Sequence, residues 1–479
     1  MQEEPPHGVL IHARPRVRSG AVGPGYAPRA TTSRRDGGLR PVAGRRDRGT
    51  VADQGRNLDP APRSGAGPTG PRPAHRRAVA VPVLLAVLAV TAVMGARLTG
   101  PCEEDPGCFV VAGARFVDPV ESGLPVLSGT GADGYDGQFF WRLSRAPDEL
   151  GKAPVHGVAL DTAIRVGRPG YPAVVWAASG GGRAEVVDWA LIAVNVVATG
   201  LLSWLLAATA RRHGVSTWVG ALAALWPGLL FAVGRDLSEP GSALLVAAGL
   251  AAVARGRPGL AGLAWAGAVL WREQAIIVPA AFGCWWLVTL LLGSRAARSW
   301  GPVLVWSAPL AAFLTWQVVA TSSVGEVPLL ASSEQNLVLP LTGLVPEAVG
   351  WLRGEDGVVG VVWVVELVTA MAVVVTALVV GYRTRRWEVV AVALGAVAVL
   401  SASRNVWGGP AHLRYATDLV VTAWFVLLST RAVVVGPQGD LSASPPSRLD
   451  RSLPALRVAL VGAQVGAAAL ACVYLLRAP

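Results

Sequence analysis

Hydrophobic positions in this chain fall in long unbroken runs, with neither the strict alternation of half-buried strands nor the one-sided stripe of a surface helix. The runs lie at about 78–98, 186–208, 216–234, 240–254, 259–272, 275–292, 300–320, 358–380, 387–401, 416–430 and 455–476. A helix needs roughly 20 apolar residues to cross a bilayer. Several runs are shorter, so their ends are soft. The pattern predicts an all-α polytopic membrane protein of about 11 transmembrane helices. A large polar stretch, 99–185, separates the first run from the second, and within it Tyr171–Trp176 is apolar but too short to span. That piece reads as re-entrant or interfacial.

The polar segments divide the chain further. Residues 1–77 are dominated by Arg, Pro, Gly and Ala with no apolar periodicity. Such a segment buries too little surface to offset chain entropy, so a disordered tail is expected there. No apolar run followed by a small-residue cleavage site precedes the first span, which is therefore expected to stay as an anchor. The core is expected over 78–430, a polar Pro/Ser-rich linker over 431–454 and a last span over 455–479.

Loop charges set the orientation. His75, Arg76 and Arg77 precede the first run, and Arg211 with Arg212, Arg255 with Arg257, Arg295 with Arg298, and Arg383 with Arg385 and Arg386 fall in alternate short loops. Positive charge concentrates on the cytoplasmic side, so the N-terminus is read as cytoplasmic and the 99–185 loop as extracytoplasmic. The same distribution accounts for the net charge of +11 without a nucleic-acid partner. Composition agrees, with 52% hydrophobic and 15% charged residues against about 25% charged in soluble domains.

Of four cysteines, Cys284 and Cys472 sit in apolar runs and read as packing residues. Cys102 and Cys108 bracket a short acidic loop beyond the first run, where a disulfide or two free thiols are both compatible with the sequence. Two thiols are too few for a zinc site.

Candidate chemistry gathers in the loops placed outside. The densest group is Gly134-Tyr135-Asp136-Gly137-Gln138-Phe139-Phe140-Trp141-Arg142, with Asp133 beside it. Asp133 and Asp136 are the carboxylates nearest the aromatic run, and either suits general-base work on a hydroxyl. Gly134 and Gly137 predict a turn before a helix starting at Gln138. Tyr135, Gln138, Trp141 and Arg142 are candidate substrate contacts, with membrane-interface anchoring the competing role for the rings. A divalent ion held by Asp133, Asp136 and a third acid is compatible with the residues, although no ligand set is complete.

Two later turns repeat a cation–acid pattern. Arg235-Asp236-Leu237-Ser238-Glu239-Pro240 places Pro240 at a helix start capped by Ser238 or Glu239, where amide groups and the helix dipole favour an anion beside Arg235. Mutual pairing of Arg235, Asp236 and Glu239 is the plainer alternative. Arg272 and Glu273 recur one hairpin later, and His412 with Arg414 follows near the end of the core. Ionisable groups at the ends of apolar spans are costly in hydrocarbon, so they are expected to face a shared wet cavity.

With GYDGQFFWRL at 134–143, RVGRPGYPAVVW at 165–176, RDLSEP at 235–240 and WREQA at 271–275, the region from about Ala78 to Ser429 resembles bacterial polytopic membrane glycosyltransferases of the GT-C type, and actinobacterial cell-surface glycopolymer proteins in particular. The resemblance implies a transferase that moves a sugar from a polyprenyl-phosphate donor to an envelope glycan, lipid or protein acceptor on the outer face. It implies that Asp136 is the acidic residue of the first outer loop, as base or as member of a metal site, so a divalent cation is the one cofactor it raises. A transporter or flippase of lipid-linked sugars and a non-catalytic scaffold are the alternative classes. Glu366 and Asp188 are the few ionisable residues within or beside spans on which a transporter would depend.

Overall fold

The computed structural model describes residues 73–127, 133–293, 301–331, 338–353, 357–407, 410–430 and 448–476. The basic tail and most of the 431–454 linker lie outside them. The apolar runs and several of the segments between them form helices: α1 Pro73–Thr99, the short α2 Pro119–Ser122, α3 Gly137–Arg145, α4 Gly170–Ala178, α5 Ala184–Arg212, α6 Thr217–Leu222, α7 Pro227–Val233, α8 Glu239–Val253, α9 Pro258–Trp271, α10 Ile277–Leu291, α11 Gly301–Val324, α12 Leu344–Leu352, α13 Gly357–Arg383, α14 Glu388–Leu400, α15 Arg404–Trp407, α16 Thr417–Ser429 and α17 Arg448–Leu475. Sheet among the described residues is confined to two two-residue strands, β1 Ala112–Gly113 and β2 Val126–Leu127, paired in parallel.

Among the described residues, six segments are long and apolar enough to cross a membrane, namely Ala78–Thr99, Ala184–Arg212, Glu273–Leu291, Gly301–Val324, Val359–Arg383 and Arg451–Leu475. Shorter apolar helices occupy Glu239–Val253, Pro258–Trp271 and Glu388–Leu400. The outer faces of these helices are apolar, with Leu84, Leu88, Val197, Leu201, Val318 and Val368 all exposed. A soluble protein does not tolerate apolar surface on that scale. The chain is an all-α membrane protein.

Each predicted run carries a helix, with two adjustments. The 216–234 run breaks into α6 and α7, because Pro227 opens a new helix rather than continuing the old one. The last helix begins at Arg448 and contains Pro454, earlier than the predicted start at 455. At the centre stands α16, buried from Thr417 to Ser429 on every side. It packs against α5, α8, α13 and α14, which explains why its sequence is apolar all round.

The loop between α1 and α5 folds onto the ends of these helices rather than trailing from them. Cys102 and Cys108 form a disulfide that closes its first turn. Phe139, Phe140 and Trp141 of α3 are all buried, with Phe140 edge-on to Tyr171 of α4. Tyr171 in turn tilts against Trp271 at the end of α9. The apolar 171–176 piece is thus α4, a cap over the helix ends. Gly137 is required where α3 meets the turn after α7, since a Cβ there would lie 2.6 Å from the carbonyl oxygens of both Arg235 and Val110.

Candidate functional site

Asp136 immediately precedes α3, so its position follows from the aromatic anchoring of that helix. Its side chain is 15% exposed and lies among three guanidinium groups. Arg165 donates to Oδ1, Arg414 to Oδ2 at 3.1 Å, and Arg168 reaches Oδ2 at 3.5 Å. The first-loop carboxylate therefore meets residues nearly 280 positions later in the chain. Burial alone would raise the Asp136 pKa, but Arg165, Arg414, Arg168 and Arg272 override it and hold the carboxyl well below the usual carboxylate range.

Each arginine is itself held by a second acid. Arg165 donates to Asp161 at 2.8 and 2.7 Å and lies 4.5 Å over the Phe139 ring. Arg168 makes a two-pronged pair with Glu273 at 2.7 and 2.6 Å. Arg414 lies 3.5 Å from Glu239, which also faces Arg272 at 3.3 Å. Burial would lower the arginine pKa values, and these carboxylates raise those of Arg165, Arg168 and Arg414 instead. Four acids and four arginines form one continuous network spanning the first loop and the starts or ends of α8, α9 and α16.

Two tyrosines complete the cluster. Tyr135 lies beneath Arg235 at 4.8 Å and Arg414 at 5.6 Å, and Tyr415 beneath Arg272 at 5.0 Å and Arg414 at 5.3 Å. Despite this packing, Nε and Nη1 of Arg235, Nε and Nη2 of Arg272, and Nη1 of Arg414 are buried and make no hydrogen bond among the described residues. Unspent buried guanidinium donors are costly unless an anion meets them. A cleft of about 530 Å³ opens beside Asp136, lined by Arg115, Asp133, Tyr135, Phe139, Asp161 and Arg165 among others.

The other sequence candidates divide clearly. Asp133 is exposed at the cleft rim and pairs with Arg115 at 3.0 Å, apart from the guanidinium cluster. Gln138 is a brace, accepting from the Gly113 amide at 3.0 Å and donating to the Asp133 carbonyl at 2.8 Å, while it also borders the cleft. Trp141 is buried and donates to Asp188 at 2.6 Å. Arg142 is buried and donates to the carbonyls of Glu149, Gly151 and Ala153. Glu239 pairs across the bundle with Arg272 and Arg414 rather than with Arg235 in its own turn. Ser238 caps α8 by position but makes no capping hydrogen bond. His412 falls in the turn Pro410–Ala416, and its side chain lies outside the described residues.

Arg165, Arg168, Asp161 and Tyr415 are the members that sequence reasoning passed over. The available signal was the Arg-x-x-Arg spacing in the 99–185 loop, which puts two guanidinium groups within one turn. A divalent cation does not fit this donor set, because Asp136, Asp161, Glu239 and Glu273 each face at least one guanidinium, and no group of three metal-ligating side chains occurs among the described residues.

No protein-family model and no curated protein matches the chain. Among solved structures it is similar to ArnT from Cupriavidus metallidurans bound to undecaprenyl phosphate, at 14% identity over 82% of this chain and 77% of that one, with a TM-score of 0.42. It is similar to the Archaeoglobus fulgidus oligosaccharyltransferase in its apo form, at 13% identity over 81% of this chain and 56% of that one, TM-score 0.41. The oligosaccharyltransferase AglB of Archaeoglobus fulgidus, in complex with an inhibitory peptide and a dolichol-phosphate, gives 13% identity over 82% and 56%, TM-score 0.40. The chain thus spans little more than half the length of these oligosaccharyltransferases.

Proposed function

We propose that this protein is a membrane glycosyltransferase that moves a sugar from a polyprenyl-phosphate donor to a cell-envelope acceptor, with the reaction at the Asp136 cleft. One observation carries the reading: a single carboxylate sits among arginines whose buried N–H groups are partly unspent, beside a cleft that is open to water. A carboxylate and an anion site are the two groups that transfer from a phosphate donor needs.

In the reaction, the acceptor oxygen attacks the sugar C1 while the bond from C1 to the donor phosphate oxygen breaks. The acceptor proton passes to Asp136, and the polyprenyl phosphate leaves with the bonding pair. Charge grows on that phosphate in the transition state, so fixed guanidinium groups at Arg235, Arg272 and Arg414 accelerate its departure. A carboxylate ringed by arginines is a weak base. When phosphate shares the charge of Arg414, Asp136 loses part of its cationic shell and its basicity rises. Donor binding and base activation are thereby linked.

The orientation belongs to the same proposal, with about 11 spans, a cytoplasmic N-terminus and basic tail over 1–77, the core over 78–430, a cytoplasmic linker over 431–454 and a final span after it. The 99–185 loop then covers the outer ends of the core helices. The test is transfer from a panel of radiolabelled polyprenyl-phosphate sugars by purified protein in nanodiscs, wild type beside Asp136→Asn. Transfer that is lost in the variant at unchanged thermal stability supports the reading, and an equally active variant overturns it.

A transporter reading is favoured by a different observation. Glu366 lies within α13, fully buried, and neither carboxyl oxygen has a hydrogen-bond partner among the described residues. Unpaired carboxyls at such depth are rare outside ion and proton paths.

A further inference from the structure

The far end of the bundle holds a second charged cleft of a different character. Asp188, bonded to Trp141 near the first turn of α5, and Arg211 near its last turn are separated by about 35 Å of helix at about 1.5 Å per residue. That length matches the roughly 30 Å hydrocarbon layer, so Arg211 reaches the interface opposite Asp136. A cleft of about 810 Å³ lies there between the α5–α6 turn and α17, and its lining includes Arg211, Arg212, His213, Arg457, Val219 and Val458. Among the described residues, no carboxylate lines it.

The contrast with the Asp136 site is one of compensation. Around Asp136 every arginine named in the network meets an acid. Here Arg212, Arg255, Arg257 and Arg457 form no ion pair among the described residues. Arg212 and Arg257 lie close enough to Arg255 to add to the effect of burial in lowering its pKa. Arg457 is 97% buried by the surrounding protein, as its exposure of 3% shows. It spends Nε on the Leu427 carbonyl at 2.8 Å and Nη2 on the Thr430 carbonyl, capping α16. Like charges gathered around a cavity repel one another, and an anion entering it relieves that repulsion. The apolar wall of Val219 and Val458 is a surface along which an acyl chain can lie.

We propose that this cleft binds the phosphate headgroup of an anionic membrane lipid, with the acyl chains running along the valine wall, and that it is independent of the glycosyl-transfer site. Free phosphate offers the same chemistry without the chains. Each basic residue near a membrane surface is worth about fivefold in anionic-lipid affinity. The Arg211→Gln/Arg212→Gln double variant should therefore bind about 30-fold more weakly.

The experiment is native mass spectrometry of the full-length protein in detergent, titrated separately with phosphatidylglycerol, phosphatidylcholine and inorganic phosphate. Phosphatidylglycerol retained by the wild type, lost in the double variant and restored by Arg211→Lys/Arg212→Lys supports a lipid site. Inorganic phosphate retained equally well and lost in the same variant keeps the phosphate site and makes the free ion its ligand. Retention of phosphatidylcholine as strong as that of phosphatidylglycerol overturns the proposal. So does an undiminished double variant, or an equal loss in Arg255→Gln/Arg257→Gln, because those residues do not line the cleft and would report only a diffuse field.

Discussion

Replacing Asp136 by asparagine separates two roles that the proposed mechanism gives to one carboxylate. Asp136 is paired with Arg414, one of the three arginines that the proposed mechanism gives to the donor phosphate, so in that mechanism it acts as an internal anion as well as a base. An incoming phosphate feels it as a like charge. At a separation of about 6 Å and an effective dielectric of about 20, that repulsion is about 3 kcal/mol. Removing it corresponds to about a hundredfold in affinity as an upper bound. The Asp136→Asn variant should therefore bind a short-chain polyprenyl phosphate between about ten- and a hundredfold tighter than wild type. Transfer should fall by at least about a hundredfold, since the proposed general base is gone. Isothermal titration of the lipid phosphate and transfer of radiolabelled sugar, run on the same nanodisc preparation, read the two effects. Their opposite signs matter, because misfolding would lower both. Unchanged or weaker phosphate binding would refute the internal-anion role, and retained transfer would refute the catalytic one.

Four further outcomes follow from single groups. Asp236 is buried with neither carboxyl oxygen hydrogen-bonded among the described residues, and burial followed by the nearby Asp188 pushes its pKa well above the carboxylate range. A raised carboxyl pKa makes the fold lose stability as pH climbs from about 4 toward that value. Asp236→Asn, which also suits the left-handed backbone at φ 51°, should remove that slope and melt higher than wild type at pH 8, and a lower melting temperature there would count against it. Glu366→Gln should leave glycosyl transfer unchanged and thermal stability equal or higher, because it removes a buried carboxyl with no hydrogen-bond partner among the described residues; transfer lost with stability intact would move the transporter reading ahead. Gly137→Ala should cost about 1–3 kcal/mol by forcing α3 away from the Arg235 turn, seen as a lower melting temperature and reduced transfer, and an unchanged melting curve would show that the contact yields. Chelation should leave transfer intact, since every carboxylate in the network already faces an arginine; activity lost to a chelator and restored by magnesium or manganese would refute that donor-set argument.

The fold was legible in the sequence to the extent that one-dimensional apolar runs determine helices. Residues 184–212 are apolar whatever surrounds them, and α5 lies there. The 216–234 run shows the limit, because Pro227 was already a helix-start residue within an otherwise continuous run, and run length outweighed it. The site was legible where a carboxylate stood among aromatics, which singled out Asp136, and where acids and arginines shared a turn, which singled out Arg235, Glu239, Arg272 and Glu273.

Pairing was not legible, because it is a property of the assembled helix ends. Glu239 lies four residues after Arg235, yet its partners are Arg272 and Arg414, brought by α9 and by the turn before α16. Glu273 sits beside Arg272, yet its two-pronged partner is Arg168 from the first loop. Neighbours in sequence at a helix end point to different sides of the helix, so a cation and an acid side by side are poor candidates for each other. That rule also explains why Arg165 and Arg168 went unnoticed. Three residues apart in a loop, they read as generic positive charge, whereas folding gives each a different second acid and the same first one. Asp136 is the only residue shared by Arg165, Arg168 and Arg414 among the described ion pairs. A change at any one of the three arginines should therefore be felt first as a change in the charge environment of that carboxylate.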